Sequence, residues 1–312
     1  MGVLASFLAG AVRLGTTFVY GSVGETITEK SGHLNLGIPG IMCFGALGGC
    51  VGVAMVGAVP VLTVLMGVIM AFIFAGALGM LYSFFTVTLR ANQNVTGLTV
   101  TTFGVGCTNF FITKVNDSSF SKASTMFTNL FTFHDKLGFV GEILLSYGIL
   151  VYLAVVIAIL SSLFLNRTKM GLHLRAVGES PATADAAGIN VARYKYVATF
   201  VGSGIAGLGG LFYIMDYLTG SWEYTIDAMG WLSIALVIFT VWKPNWAILG
   251  SYIFGALYIL AQYVSVSFAM MRILKMLPFV VTILVLIFTS IRGKKENQPP
   301  ASLGLNYFRE ER

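Results

Sequence analysis

The chain has 312 residues, of which 56% are hydrophobic and only 10% charged, with a mean hydropathy of +0.84. Soluble domains carry about 25% charged residues, so this composition excludes a soluble fold and marks an integral membrane protein. The net charge of +6 does not point to nucleic acid, because the basic residues lie mainly in short loops and the tail, where membrane topology accounts for them.

A spanning helix needs about 20 apolar residues. That length predicts nine candidates, at roughly 3–21, 36–56, 59–88, 94–113, 142–165, 196–215, 228–242, 246–269 and 277–291. The runs lack the alternation of a membrane barrel, so the fold class is all-α: a polytopic membrane helix bundle of about nine transmembrane helices, some of them broken. Residues 1–291 read as the transmembrane domain and 292–312 as a tail. The first 20 residues have no basic n-region and no small-residue cleavage site, which predicts a retained first helix.

Glu25 and Glu29, four apart, share one face if helical and read as solvated or paired with Lys30, or else as a proton relay. Gly37, Pro39, Gly40 and Gly45 crowd the second helix, as a break beside a solute pathway or as a tight packing surface. Cys43, Cys50 and Cys107 sit in apolar runs without metal-ligand spacing and read as small hydrophobes. Around the fourth helix lies a polar group: Asn92, Gln93, Asn94, Thr96, Thr99, Thr101, Thr102 and Asn109. Uncharged amides and hydroxyls can hold a neutral polar solute without burying a charge. Helix capping and bonding of threonines to their own backbone are the competing reading. Phe103 and Trp231 either stack against a base or sugar ring or pack between helices. His33, His134 and His173 fall in different loops, so no metal site is expected. Residues 114–140, rich in Ser, Thr, Phe and Lys, form the largest predicted outer surface.

Residues 166–195 are the one long water-compatible stretch inside the apolar chain. Ser180 suits an N-cap, Pro181 the first helical position and Gly188 a terminator, which predicts a short capped helix over 181–187. A helix this short is marginal alone and gains stability by docking, on its own bundle or on another subunit. With this loop placed in the cytoplasm, thirteen basic residues fall inside and five outside (Lys114, Lys122, Lys136, Arg272 and Lys275). That bias puts the tail in the cytoplasm after an odd number of crossings. Gly202, Ala206 and Gly210, spaced four apart, predict close helix packing.

The segment GLHLRAVGESPATADAAGINVARYK resembles the cytoplasmic loop of permease subunits from bacterial ABC importers of the branched-chain amino acid, ribose and nucleoside type. Upstream, GETITEKSGHLNLGIPGIMCFGAL resembles the family's N-terminal signature, in which an Asn-x-Gly here formed by Asn35 and Gly37 precedes a glycine-rich helix. ANQNVTGL, FVGSGIAGLGG, GWLSIALVIFTVWKPNWAILGSYIFG and LPFVVTILVL follow in the family's order. Two positions depart from it: Pro39 stands where an acid is usual, and Met229 where an Arg is common before Gly230.

The resemblance implies a transport subunit without catalysis of its own, in a bacterial inner membrane. A partner ABC ATPase carries the ATP-Mg, and nothing in this chain matches a P-loop. A short coupling helix takes the ATPase contact through Arg175, Glu179, Ser180, Pro181, Ala184, Asp185, Gly188 and Arg193. Asn35, Asn92, Gln93, Asn94, Thr96, Thr99, Phe103 and Trp231 are the pathway candidates. A second, homologous permease and an extracellular binding lipoprotein complete the implied complex, amid membrane lipid. The tail PPASLGLNYFREER is most similar to the shorter of two paired permeases in the nucleoside or simple-sugar branch, which makes a nucleoside the expected solute. Ribose-type sugars and branched-chain amino acids are the alternatives within the family. A secondary transporter or channel is the alternative outside it, and leaves the charged loop without a role.

Overall fold

The computed structural model describes residues 2–56, 59–115, 118–128, 145–264, 267–292 and 298–308. Among these residues there are twelve α-helices and no strand. The first four are α1 (Val3–Glu29), α2 (Ile38–Val56), α3 (Pro60–Ser83, prolonged by a π-turn over Phe84–Thr88) and α4 (Gln93–Ile112). After the short α5 (Ser118–Thr128) come α6 (Ile149–Arg167), α7 (Lys169–Glu179) and α8 (Pro181–Ala186). The last four are α9 (Val191–Phe212, prolonged by a π-turn over Tyr213–Tyr217), α10 (Ile226–Phe239), α11 (Pro244–Tyr263) and α12 (Phe268–Arg292).

Eight of these helices are long and apolar enough to cross a membrane, and the 14-residue α10 is a shorter apolar ninth. All nine expected runs are thus helical, with shifted ends. α12 begins at Phe268 rather than near 277, so Arg272 and Lys275 fall within the helix and not in an outer loop. Lys195 lies inside α9 rather than at the end of the charged loop, and is buried. In residues 114–140, positions 116–117 and 129–140 lie outside the described residues, as do His134 and Lys136.

Burial sorts the helices. α9 buries 83% and α2 78% of their most apolar windows, against 12% for α12, so α9 and α2 form the centre and α12 the periphery. Small residues let the central backbones touch. A side chain at Gly45 of α2 would run into the backbone of Gly207 in α9, and one at Gly24 of α1 into the carbonyl of Gly202 in α9. The Gly202, Ala206 and Gly210 stripe is therefore a packing surface, as its spacing predicts: without a hydrophobic drive between helices in lipid, close van der Waals contact holds them.

One ion pair crosses the far end of the bundle, where Arg13 of α1 meets Asp216 in the π-turn after α9 at 3.0 Å. The same guanidinium donates to the Asp216 carbonyl. The pairing offsets the two charges, although Asp216 Oδ2 is buried without a hydrogen-bond partner.

Candidate functional site

The break between α1 and α2 is built from residues 30–37. Backbone that leaves the helix inside a membrane bundle must find partners in protein. Here side chains supply them. The Leu34 N–H donates to Gln93 Oε1 at 2.8 Å, the Asn35 N–H to Glu25 Oε1 at 3.1 Å and the Gly37 N–H to Asn35 Oδ1 at 2.9 Å. Two carbonyls of the segment accept from hydroxyls, Leu34 from Tyr82 at 2.7 Å and Leu36 from Thr101 at 2.8 Å. Glu25 and Glu29 are accordingly buried, not solvated, and Glu29 accepts from the Trp242 indole N–H. Spacing shows that two residues share a face but not what covers it, and here Trp242 does. Val241 and Trp242 both adopt left-handed backbone angles, φ of 56° and 53°, in the tight turn between α10 and α11 that returns the indole to the bundle.

His33 is fully enclosed next to this break. Its Nδ1 lies 3.0 Å from the Thr199 hydroxyl and its ring meets Tyr82 edge-on at 5.6 Å. Burial, followed by the nearby Lys195 charge, pushes its pKa well below the usual imidazole value. Lys30, on the turn before it, is also lowered, first by burial.

The charged loop folds as two helices joined at Ser180. The first, α7, goes beyond the one short helix the sequence predicts in this loop; Thr168 caps it by accepting from the Gly171 N–H at 3.0 Å. Ser180 caps α8, its hydroxyl accepting from the Thr183 N–H at 3.4 Å, and Pro181 occupies the first turn as expected. The end of α8 follows the Schellman pattern. Gly188 has φ of 81°, its N–H bonds the Asp185 carbonyl at 3.0 Å, and the Ile189 N–H bonds the Ala184 carbonyl at 3.0 Å. Ala184, 3% exposed, packs with Val177, Val191, Ile189 and Tyr307, whereas Ala182, Thr183, Ala186, Ala187 and Gly188 face outward. The outer face is thus small and flat. Arg193 is exposed at the start of α9, where Asn190 caps the helix at 2.9 Å. Arg175, half-buried, and Glu179 share a recess with Lys30, Trp242, Lys243 and Pro300.

The tail braces this loop, which nothing in the sequence signalled. The Ser302 N–H bonds the Gly178 carbonyl at 3.0 Å, and the Tyr307 hydroxyl donates to Asp185 Oδ2 at 2.8 Å. Asn306 donates to the Arg90 carbonyl at 2.7 Å and, by its own oxygen, accepts from Gln93 Nε2 at 3.3 Å. The Arg90 guanidinium rests over the Phe308 ring at 4.9 Å. Residues 298–308 therefore join α8, the end of α7, the α3–α4 turn and the α1–α2 turn on one end of the bundle.

The proposed pathway residues divide into two groups. Asn35 and Gln93 are buried in the α2 break, where Asn92 caps α4 by accepting from the Val95 N–H at 3.1 Å and Thr96 bonds the Asn92 carbonyl at 2.8 Å. Asn94 is exposed beside them. Further along α4, Thr99, Thr102, Phe103, Gly106 and Asn109 recur at helical spacing on one exposed stripe. Thr99 and Thr102 donate to their own helix at 2.8 and 3.0 Å, which leaves their oxygens free to accept. Phe103 is 50% and Trp231 40% exposed. α4 and α10 both pack on the start of α2, Thr101 and Gly104 against Gly40 and Gly230 against Pro39, so the two aromatic residues flank one helix. Pro39, one departure from the family pattern, thereby meets the residue that follows the other, Met229, which is buried among apolar residues.

A family model described as "Branched-chain amino acid transport system / permease component" matches residues 7–286. The chain is 32% identical over 258 residues to a protein provisionally named as a glucose ABC transporter permease, from Haloferax volcanii; the match covers 82% of this chain and 77% of that one. It is 30% identical over 328 aligned positions to the nucleoside ABC transporter permease NupC of Lactococcus lactis, covering 98% of each chain. It is 28% identical over 312 positions to the guanosine ABC transporter permease NupQ of Bacillus subtilis, covering 93% of this chain and 92% of that one. No solved structure matches the chain.

Proposed function

The chain belongs to the permease-component family of branched-chain amino acid transport systems, and from that premise we propose that it is one of two paired membrane subunits of an ATP-driven nucleoside importer. A permease of this family is a multi-pass transport component that works with a separate ATPase and a substrate-binding partner. The observation that carries the nucleoside reading is the near full-length correspondence with two nucleoside permeases, over 98% and 93% of this chain.

The solute chemistry agrees with it. The exposed stripe of α4 presents hydroxyls, Asn109 and an aromatic ring but no charge, in a part of the helix that would otherwise face lipid. In our reading the solute passes between this stripe, with Trp231 on the other side of α2, and the second permease. A nucleoside offers hydroxyls and a flat ring to such a surface. The ATPase docks on the outward face of α8, with ATP-Mg on the ATPase. Closure of the ATPase dimer displaces α8, and its buried side at Ala184 passes the movement to α7, α9 and the tail. The α8 end of the molecule then faces the cytoplasm of a bacterial cell and the other end receives the binding protein. A simple sugar is the second reading, favoured by the relative from Haloferax volcanii.

The test is uptake of labelled adenosine, ribose and leucine by vesicles holding this chain, the second permease, the ATPase and the binding protein. Adenosine uptake that requires ATP is expected. Uptake of ribose or leucine alone reassigns the solute, and uptake without ATP or the ATPase overturns the importer reading in favour of a secondary transporter or channel.

A further inference from the structure

The end of α3, the α3–α4 turn and the start of α9 enclose a cavity of about 410 Å³ behind the coupling loop. Lys195 lines it and is only 3% exposed. Among the described residues its ammonium meets no carboxylate and no hydrogen-bond acceptor. An unpaired buried charge is costly, and a protein that keeps one in a cavity wall has a use for a counter-charge there. Arg90, whose guanidinium rests over Phe308, lines the same cavity.

A second feature points the same way. α9, 22 residues long, begins on this wall, and Asn190 caps only the Arg193 N–H, so the amides of Val191 and Ala192 have no acceptor within the helix. The helix dipole adds positive potential at that end. The acid on the wall, Asp185, is engaged by the Tyr307 hydroxyl at 2.8 Å. Two cations and a helix N-terminus therefore face one engaged carboxylate.

The level of the cavity in the bundle selects the anion. Thr86 and Val87 on its wall belong to the π-turn that ends α3, and Phe84, Phe85 and Leu89 on the same stretch are exposed apolar side chains. The cavity thus opens where the apolar membrane face gives way to charged loops. We propose that it binds the phosphate headgroup of an anionic membrane lipid, with Lys195, Arg90 and the first amides of α9 as donors and the acyl chains running along Phe84 and Phe85. Bound there, the lipid ties α3 to α9 at the root of the coupling helix. The proposal does not depend on the identity of the transported solute.

The full chain, purified in neutral detergent, is titrated with phosphatidylglycerol, phosphatidylcholine and inorganic phosphate while thermal unfolding is followed. Phosphatidylglycerol raises Tm and phosphatidylcholine does not. K195M weakens phosphatidylglycerol binding by roughly five- to tenfold, in line with about 1 kcal/mol per basic residue near an anionic surface. Unchanged affinity in K195M overturns the site, and an equal Tm rise with inorganic phosphate overturns the lipid. Should K195M not fold, A192W fills the cavity from its exposed rim and is expected to abolish the phosphatidylglycerol shift. If A192W instead lowers ATPase capture and leaves lipid binding unchanged, the cavity belongs to the ATPase and the proposal fails.

Discussion

Residues around the α2 break carry two different kinds of information. Asn92 as a helix cap is legible in the sequence, because capping is local and its chemistry repeats from protein to protein. Gln93 as the partner of Leu34 and of the tail is not, since its partners are 59 and more than 200 residues away. Replacing Gln93 with Leu keeps the volume and removes all three bonds, leaving the part-buried N–H of Leu34 without a partner. A loss of about 1–3 kcal/mol in unfolding free energy is expected, read by chemical denaturation in detergent. His33 gives a pH signature. Its folded pKa lies below the unfolded value of about 6.5, so the unfolded chain binds the proton first. Stability is then unaffected above that pH and falls as pH drops below it, by at most about 1.4 kcal/mol per pH unit. Subtracting the profile of His33→Gln from that of the parent between pH 7.5 and 5 isolates this slope, and identical profiles would refute it.

Elements differ in how much of themselves they announce. α8 is readable because Ser180, Pro181 and Gly188 are three independent local signals that agree. α7 carries a cap in Thr168 but has an ordinary charged composition, and its apolar side, with Leu174 and Val177, becomes evident only against the bundle. The two alanines of α8 that look equivalent in sequence are not equivalent in space. Ala184 is sealed against Val177, Val191 and Tyr307, whereas Ala187 faces outward. Ala187→Trp is therefore expected to lose ATPase co-purification while the subunit keeps its Tm. Ala184→Trp, which overpacks a closed cluster, is expected to cost about 1–3 kcal/mol of stability as well. Equal behaviour of the two variants would show that α8 does not dock through its outer face.

At the scale of the whole molecule, the apolar runs, the helical class and the small-residue contacts of α2 and α9 follow from length and spacing alone. What sequence spacing leaves open is the depth at which each helix starts. α10, at 14 residues about 21 Å long, is shorter than the roughly 30 Å hydrocarbon layer, and α12 starts nine residues before its most apolar run suggests. The Arg13–Asp216 pair is likewise invisible to local pattern, its members being 203 residues apart. If the short α10 crosses together with the eight longer helices, α8 and the tail would lie on one side and Gly2 on the other. Single cysteines at Ser180 and Ala301 should react with an impermeant maleimide only from the cytoplasmic side, and one at Gly2 only from outside, once Cys43, Cys50 and Cys107 are replaced. Labelling of Gly2 and Ala301 from the same side would rule out an odd count.

The brace formed by residues 298–308 also fixes an order of events during synthesis. Those residues leave the ribosome after every spanning helix, yet they complete the seat of α8 through Tyr307 and hold the α3–α4 turn through Asn306. Until they arrive, the small cluster behind α8 lacks the wall that Tyr307 supplies, and the proposed ATPase seat would be unfinished. If the ATPase docks on α8 as proposed, a half-made subunit would not yet recruit its motor. A chain cut after Arg292 should insert in the membrane with normal yield and capture little ATPase in a pull-down, and full capture would show that the seat is complete without the tail.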